Sequence, residues 1–577
     1  MKRHSVLRLL RLMIPHRKAV ILAGLSVLLV NCAELMKPII LKIVIDDFLI
    51  LKKPETGLYS IKSMGILYMV IIVLGSLFTF VQINLMNHVG QQIISGLRRK
   101  VFNHIQHLPL SYLDKYSTGR LITRATNDVE ALNEMFTDVL INLFRDVFLL
   151  IGIVFAMFSM HVSLALISLV ALPLIFLITC YFKNRIKENF QLMKSLIGRI
   201  NGFFAENLSG MKLVQVFNRE LEKQKEFKEL NTQYHESTLF QIKMNSLLRP
   251  IIEILQTMTI AVLVWYGMGK VMNQTLELGV LYAFTNYIKQ FFAPINDLAE
   301  NYNTVQSAVV SADRIFELLD QEDILEDLDS GLPIDELKGE IEFKNVWFAY
   351  REKEWILKNV SFKIAPRETA AFVGATGAGK TTIINLISRL YEIQKGEILI
   401  DGVNIKDYKL RDLRSNVAVV LQDVFLFSGD IKSNIRLNSN ISDKEIEQAL
   451  QLSCSEDFIE ELPMGINEPV RERGSTFSAG QRQLLSFARA IAHNPSILVL
   501  DEATANIDTK TELLIQQSIE NASNDRTTLI IAHRLSTIRN ADKIIMLSKG
   551  KILEIGNHDE LMKRGRYYKE LYEAQYA

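Results

Sequence analysis

The chain has 577 residues, 49% of them hydrophobic, and a formal net charge of +1 from Lys+Arg 65 against Asp+Glu 64. That length allows more than one domain, the apolar excess of the first half argues against a wholly soluble protein, and the balanced charge offers no basic face for nucleic acid. Cys32, Cys180 and Cys454 lie far apart without a C-x-x-C, which suggests neither a disulfide scaffold nor a zinc site.

Lys2, Arg3, Arg8, Arg11, Arg17 and Lys18 are interspersed with Leu and Met, and no small-residue cleavage site follows. Residues 1–18 therefore read as an amphipathic helix on the inner membrane surface, not as a signal peptide. From Ala19 to about Ile45 the apolar run is long enough to cross a bilayer, which takes about 20 residues. Glu34 and Lys37 lie inside it, three apart on one face, and either pair with each other or look into a cavity. Met64–Val81 is a second span, and its helical pattern continues past Arg98, Arg99 and Lys100 into a polar segment reaching Asn133.

Leu140–Phe158 and Val162–Phe182 form a hairpin joined by Ser159–His161, and a charged helical stretch follows from Lys183 to Arg249. Spans five and six are Ile251–Met272 and about Leu278–Ile295. Six spans put both ends on one side, and the Lys and Arg content of the N-terminus and of the segments 98–124 and 183–228 makes that side cytoplasmic. Lys52, Lys53 and Lys62 on the other side run against this count. A charged, helical connector runs from Ala299 to Leu337, and at Gly339 short β-branched runs begin to alternate with helical stretches. The expected fold is a multidomain membrane protein: residues 19–300 as an all-α six-helix transmembrane domain, 301–338 as linker, and 339–577 as an α/β phosphate-loop nucleotide-binding domain.

Gly374 to Thr381 reads Gly-Ala-Thr-Gly-Ala-Gly-Lys-Thr and fits the phosphate-loop pattern G-x-x-x-x-G-K-[ST], between an apolar strand and a helix. Gly374, Gly377 and Gly379 let backbone N–H groups curl around a phosphate at the positive end of the helix. Lys380 suits the β- and γ-phosphates and the Thr381 hydroxyl suits Mg²⁺. The strand Ile497–Leu500 ends in Asp501-Glu502, a carboxylate for Mg²⁺ followed by one to polarise an attacking water. Gln422 follows the strand Val417–Leu421, His533 follows Thr528–Ile531, and the aromatic ring of Tyr350 suits stacking on a purine. Phe477-Ser478-Ala479-Gly480-Gln481 opens a second helix with an anion-binding start, which one chain alone does not explain.

Taken together, these motifs resemble the ATP-binding cassette family over the whole chain, in its exporter form with six spans fused to one cassette. The resemblance makes Gly374–Thr381 the Walker A loop, with Ala375, Thr376, Ala378 and Thr382 among its nucleotide contacts. It makes Tyr350 the A-loop aromatic, Gln422 the Q-loop, Ser478–Gln481 the signature, Ile497–Asp501 Walker B, Ala505–Asp508 the D-loop and His533 the switch histidine. It implies two cassettes closing head to tail, so that Ser478, Ala479, Gly480, Gln481 and Asp508 meet nucleotide held by the partner. It also implies coupling helices near Tyr112–Asn127 and Glu206–Arg219 that dock on the cassettes, the second on the partner's. Glu472-Arg473-Gly474 resembles the exporter stretch that touches those helices.

Two departures stand out: Phe477 and Ala479 replace the usual Leu and Gly of the signature, and the D-loop reads Ala-Asn-Ile-Asp. With Glu502 and His533 intact, the pattern resembles the catalytically competent subunit of a bacterial heterodimeric exporter. The expected activity is ATP-driven export of hydrophobic or amphipathic compounds, with ATP and Mg²⁺ as cofactors and a second half-transporter chain as partner. Met36, Phe144, Phe148, Phe155, Trp265, Tyr287 and Phe291 are candidates for a cavity lining. The alternatives are an ATP-gated channel or membrane regulator without net pumping and, within the class, a homodimeric lipid flippase.

Overall fold

The computed structural model describes residues 3–54, 59–321, 330–351, 354–501, 509–531 and 538–576. The chain divides into two compact units, Met1–Gln106 with Thr118–Gln321 and His107–Ser117 with Glu322–Ala577.

In the first unit the backbone satisfies its own hydrogen bonds by being helical almost throughout, as a bilayer demands. Among the described residues, five helical stretches are long and apolar enough to cross a membrane: Leu7–Ile50, Ile61–Gln106, Thr118–Met160, Val162–Ser209 and Glu220–Met272. The basic helix Arg3–Arg11 is separated from Arg17–Ile43 by a single 3₁₀ turn, Ile14–His16, where Pro15 sits. The third and fourth stretches turn over at His161, whose extended backbone stops one helix and whose ring nitrogen accepts from Leu164 N at 3.3 Å to start the next. The sixth expected span is the first part of the helix Leu278–Leu319, which is not among those five. Its apolar side is turned inward: Val280, Leu281, Phe284, Tyr287, Ile288 and Phe291 are buried with Ile153, Leu164, Ile252 and Leu263 from three neighbouring helices.

Polar groups inside this unit find partners both within and across helices. Lys37 and Glu34 pair at 2.6 Å. Arg145 lies between Asp146 at 3.3 Å and Asp297 at 3.7 Å, and Asn31 Nδ2 donates to its carbonyl at 3.0 Å. The Tyr287 hydroxyl donates to Leu35 O at 2.8 Å. The buried Asp46 carboxylate accepts Gly279 N–H at 2.6 Å, so an acid from the first helix caps the positive end of the sixth. A Cβ at Gly279 would stand 2.5 Å from Asp46 Oδ2 and from Lys42 O, which explains glycine there. The long sixth helix ends at Leu319, so the connector is helical only that far, and Ser330 to Leu337 is not helical.

The second unit holds two main sheets. One has the order β2-β1-β4-β5, with β1 (Ile341–Phe348), β2 (Leu357–Ile364), β4 (Lys395–Ile400) and β5 (Val403–Asn404) antiparallel. The other has six strands in the order β12-β11-β3-β10-β9-β6: β12 (Lys551–Gly556), β11 (Lys543–Ser548), β3 (Thr369–Val373), β10 (Thr527–Ile531), β9 (Ile497–Asp501) and β6 (Val417–Val420). A two-stranded pair, β7 (Gly429–Asp430) and β8 (Pro469–Val470), completes the set. All five residues of β9 and of β10 are buried, as expected of parallel strands covered on both faces. Between the two sheets lies a core in which Phe343 stacks on Phe362 at 4.4 Å and Phe362 meets Phe372 at 5.5 Å.

The entry to this unit is tied down by one carboxylate: Asp401 accepts the N–H groups of Lys338, Gly339 and Glu340 at 2.6, 3.3 and 2.7 Å. Asp401→Asn, which keeps the side chain's shape, is expected to lower stability by about 1–3 kcal/mol, the cost of losing bonds to a charged group. Differential scanning fluorimetry reads this as a lower unfolding midpoint, and an unchanged midpoint would show that the strap is not stabilising.

Candidate nucleotide site

Four neighbouring strands, β3, β10, β9 and β6, run parallel, with Ile531 opposite both Phe372 and Asp501 and Val420 opposite Leu500. Their carboxyl ends are therefore level along one edge, where α/β sheets bind ligands. β3 delivers the phosphate loop, β9 delivers Asp501, and β6 ends two residues before Gln422. Glu502, Asp508 and His533, together with the rest of the D-loop, lie outside the described residues.

The loop after β3 adopts backbone angles that side chains resist. Gly374, Gly377 and Gly379 have φ of 146°, 80° and 104°. A Cβ on Gly374 would stand 2.1 Å from Leu547 O, and one on Gly379 would stand 2.7 Å from Leu357 Cδ2. Gly379 is the N-cap of the helix Lys380–Ile387 and offers no side chain to its free N–H groups, which leaves them for an anion. Lys380 is 6% exposed, and its ammonium donates to the loop's own carbonyls, Gly374 O at 2.7 Å and Ala375 O at 3.2 Å. Burial pushes its pKa below the usual lysine range, while the negative charge of Asp501 works against that shift. A buried ammonium beside the free N–H groups of a helix start fits a polyphosphate. Ala375, Thr376, Gly377 and Thr381 are exposed along the loop, whereas Ala378 and Thr382 are buried.

Thr382 carries a second function of the loop's helix. Its hydroxyl accepts from the Tyr350 hydroxyl at 3.3 Å, and Asn385 Nδ2 donates to the same Tyr350 oxygen at 3.1 Å. The Tyr350 ring, 42% exposed, is thereby held with one side open. Its edge meets the Tyr391 ring at 5.0 Å and 88°, and the Tyr391 hydroxyl donates to the Asp114 carboxylate. Asp114 follows the short helix Leu110–Leu113, inside the expected coupling stretch that clusters with the cassette. Sequence reading named Tyr350 and the stretch around Asp114 but not Tyr391 or Asn385. Nothing distinguishes those two from other aromatic and polar residues until the chain folds.

Asp501 is 8% exposed at the end of β9, and Gln422 is exposed. No cluster of three or more His, Cys, Asp and Glu stands ready for a metal among the described residues. At the other helix start, Ser478 N donates to Gln481 Oε1 at 2.9 Å and Gln481 N donates to Ser478 Oγ at 3.2 Å. This capping box uses the N–H of Gln481 and leaves those of Ala479 and Gly480 for an outside acceptor. Ser478 and Ala479 are exposed, while Phe477 is buried against Leu426, Ile431, Val470 and Leu485.

The family description "ABC transporter transmembrane region" matches residues 20–295, and "ABC transporter" matches residues 357–505. The "Probable multidrug resistance ABC transporter ATP-binding/permease protein YheH" of Bacillus subtilis (strain 168) is 41% identical over 88% of this chain and 76% of its own length. The "ATP-dependent lipid A-core flippase" of Syntrophus aciditrophicus (strain SB) is 34% identical over 97% of this chain and 93% of its own. A solved structure of a bacterial Atm1-family ABC exporter with ATP bound superposes with a TM-score of 0.80 at 27% identity, over 97% of this chain and 98% of that one.

The chain belongs to the ABC transporter family. It is a membrane-embedded, ATP-hydrolysing ABC transporter half, a helical transmembrane region fused to an ATP-binding cassette, as the motifs led one to expect. In this ABC protein Gly374 is a sensitive position, because its neighbour is backbone and cannot move aside. Gly374→Ala is expected to cost about 2–4 kcal/mol in loop strain and overpacking and to abolish ATP binding. Binding of a fluorescent ATP analogue to the purified protein reads this directly, and normal affinity would contradict the loop geometry.

Proposed function

We propose that this chain is one half of an exporter of hydrophobic or amphipathic compounds such as drugs, lipids or peptides. It works by alternating access across the cytoplasmic membrane, with both termini and the cassette on the cytoplasmic side. One observation carries the reading: a single cassette holds a phosphate loop and also an exposed second helix start at Ser478 with two free N–H groups. A partner cassette set head to tail gives each of them a phosphate. The relatives named for multidrug resistance and for lipid A-core flipping, and the exporter with ATP bound, support the substrate class and the direction.

In this scheme Gly374 to Thr382 cradle the phosphates and the open side of Tyr350 stacks on the base. Ser478, Ala479, Gly480, Gln481 and Asp508 face the nucleotide of the partner. Thr381, Asp501 and Gln422 would hold Mg²⁺, which when bound offsets the phosphate charge. Glu502 takes the proton of the attacking water, and His533 contacts the γ-phosphate. Nucleotide stabilises the closed pair more than the open one, which is what moves the equilibrium, and hydrolysis removes that difference. Phe477 is accounted for by its packing, but the Cβ of Ala479 sits where a phosphate would approach. That altered signature beside an intact Lys380 supports a heterodimer with a second half-transporter chain.

Coupling between the halves has two candidate routes. A cleft of about 520 Å³ beside the Q-loop is lined by Arg411, Arg414, Leu421, Phe425 and Arg489, and it suits the partner's second coupling helix. This chain's own helix Met211–Val216 exposes Leu213 and Val216 for the reciprocal contact. The first route is Tyr350, Tyr391 and Asp114. Tyr391→Phe keeps the ring contact and removes the bond to Asp114, and it is expected to lower the ratio of transport to ATP hydrolysis several-fold.

The deciding experiment is ATP-driven uptake of a fluorescent amphiphile into inside-out vesicles. Lys380→Ala and Glu502→Gln are each expected to lower it by about a hundred-fold or more, given what removing a charge-stabilising or general-base group costs. Full-speed pumping by Lys380→Ala sinks the reading. Native mass spectrometry of the chain expressed alone addresses assembly: a stable, hydrolysing homodimer would remove the heterodimer.

A further inference from the structure

Residues that face out of a membrane bundle are ordinarily apolar, as on the second helix, where Ile66, Met69, Val70 and Val73 are exposed. The sixth helix is inverted. Val280, Leu281, Phe284, Ile288 and Phe292 are buried, while Tyr282, Asn286, Lys289, Ala293 and Asp297 are exposed or half-exposed. Those five recur at three- and four-residue steps, so they form one stripe, polar at every position but Ala293. A stripe of that kind faces water or a polar ligand, because facing lipid it would be expensive.

Lys289 is the anomaly in the stripe. It lies eleven residues into the helix from Leu278, about 17 Å along the axis at 1.5 Å per residue and hence near the middle of a hydrocarbon core of about 30 Å. That is too deep for its stem to carry the ammonium to either surface. Among the described residues it makes no hydrogen bond, ion pair or ring contact. Lys37, Lys42 and Arg145 of the same unit are partnered: Lys37 with Glu34 at 2.6 Å, Lys42 with Glu277 at 3.0 Å, and Arg145 with Asp146 and Asp297 at 3.3 and 3.7 Å. Asp297 does not neutralise Lys289, since it lies about 12 Å further along the helix and has Arg145 beside it.

We infer that Lys289 anchors the anionic headgroup, a carboxylate or a phosphate, of an amphipathic substrate carried by this transporter. The inference rests on the export reading and narrows it to one charge class. An unpaired cation at that depth is stabilised by a ligand of opposite charge, and an amphipathic anion brings both that charge and an apolar body suited to a membrane cavity.

The test uses the assembled transporter in proteoliposomes and two lipophilic ions of the same shape and opposite charge, tetraphenylborate and tetraphenylphosphonium. The half-saturating concentration for stimulating ATP hydrolysis is measured for each, normalised to each variant's own unstimulated rate. Lys289→Gln is expected to raise that of tetraphenylborate about ten-fold, the equivalent of one lost charge contact, with little change for the phosphonium. Lys289→Glu is expected to shift the preference towards the cation, and Lys289→Arg to keep the original one. Oleate and dodecyl phosphate, run in the same assay, tell a carboxylate from a phosphate source. The proposal is overturned if Lys289→Gln shifts both ions alike or neither, if no anion stimulates, or if the variant splits the dimer in native mass spectrometry, which would make Lys289 a partner contact. Failure of the export reading is visible separately, as ATP hydrolysis and transport that survive Lys380→Ala.

Discussion

The register of four parallel strands is the constraint on which the rest depends. Because β3, β10, β9 and β6 end level, the loop with the phosphate-binding motif, Asp501 and Gln422 leave the sheet along one edge. Parallel strands also need long crossovers, so every one of these groups is separated in sequence from the next by a helical excursion. Every residue of β9 and β10 is buried, so packing on both faces of these strands holds them in place. The chemistry is therefore held in place by the least polar part of the cassette.

The membrane half obeys the complementary rule. There the surrounding medium is apolar, so the informative residues are the polar ones, and several are tied across helices: Arg145 to Asp297, Asp46 on the N–H of Gly279, Tyr287 on Leu35 O. The sixth helix departs from the rule by burying its apolar side against its neighbours and turning a polar side out. That inversion accounts for its low apolarity and for an unpaired lysine at mid-depth. Both follow if the helix borders a space that is not lipid.

Between the two halves, the stretch His107–Ser117 is continuous in sequence with the membrane helices yet clusters with the cassette. Its Asp114 is bound by Tyr391, which packs on Tyr350, which in turn is held by Thr382 and Asn385 from the helix that begins at Lys380. The ring proposed to stack on the base, the helix of the phosphate-loop motif and the proposed coupling stretch thus share one small set of contacts. Such a set has the physical continuity that coupling requires, although continuity alone is not coupling.

Much of this was legible in the residues alone. Apolar run lengths set the spans, and the phosphate-loop glycines, the apolar strand ahead of Asp501 and the order of motifs pointed to a candidate nucleotide site, because backbone conformation and strand burial are local demands that a few residue types meet. The polar sixth span was harder to read, since its apolar side is visible only once three other helices surround it. The roles of Tyr391, Asn385 and Asp114 were decided by the fold: one aromatic among many acquires meaning only from the ring and the carboxylate brought against it. The sequence by itself determined which groups could bind phosphate and which stretches could lie in a membrane, through local geometry and hydrophobicity. Only the tertiary structure decided which charges are paired and which, like Lys289, are left without a partner among the described residues, because pairing is a property of distances between segments far apart in the chain.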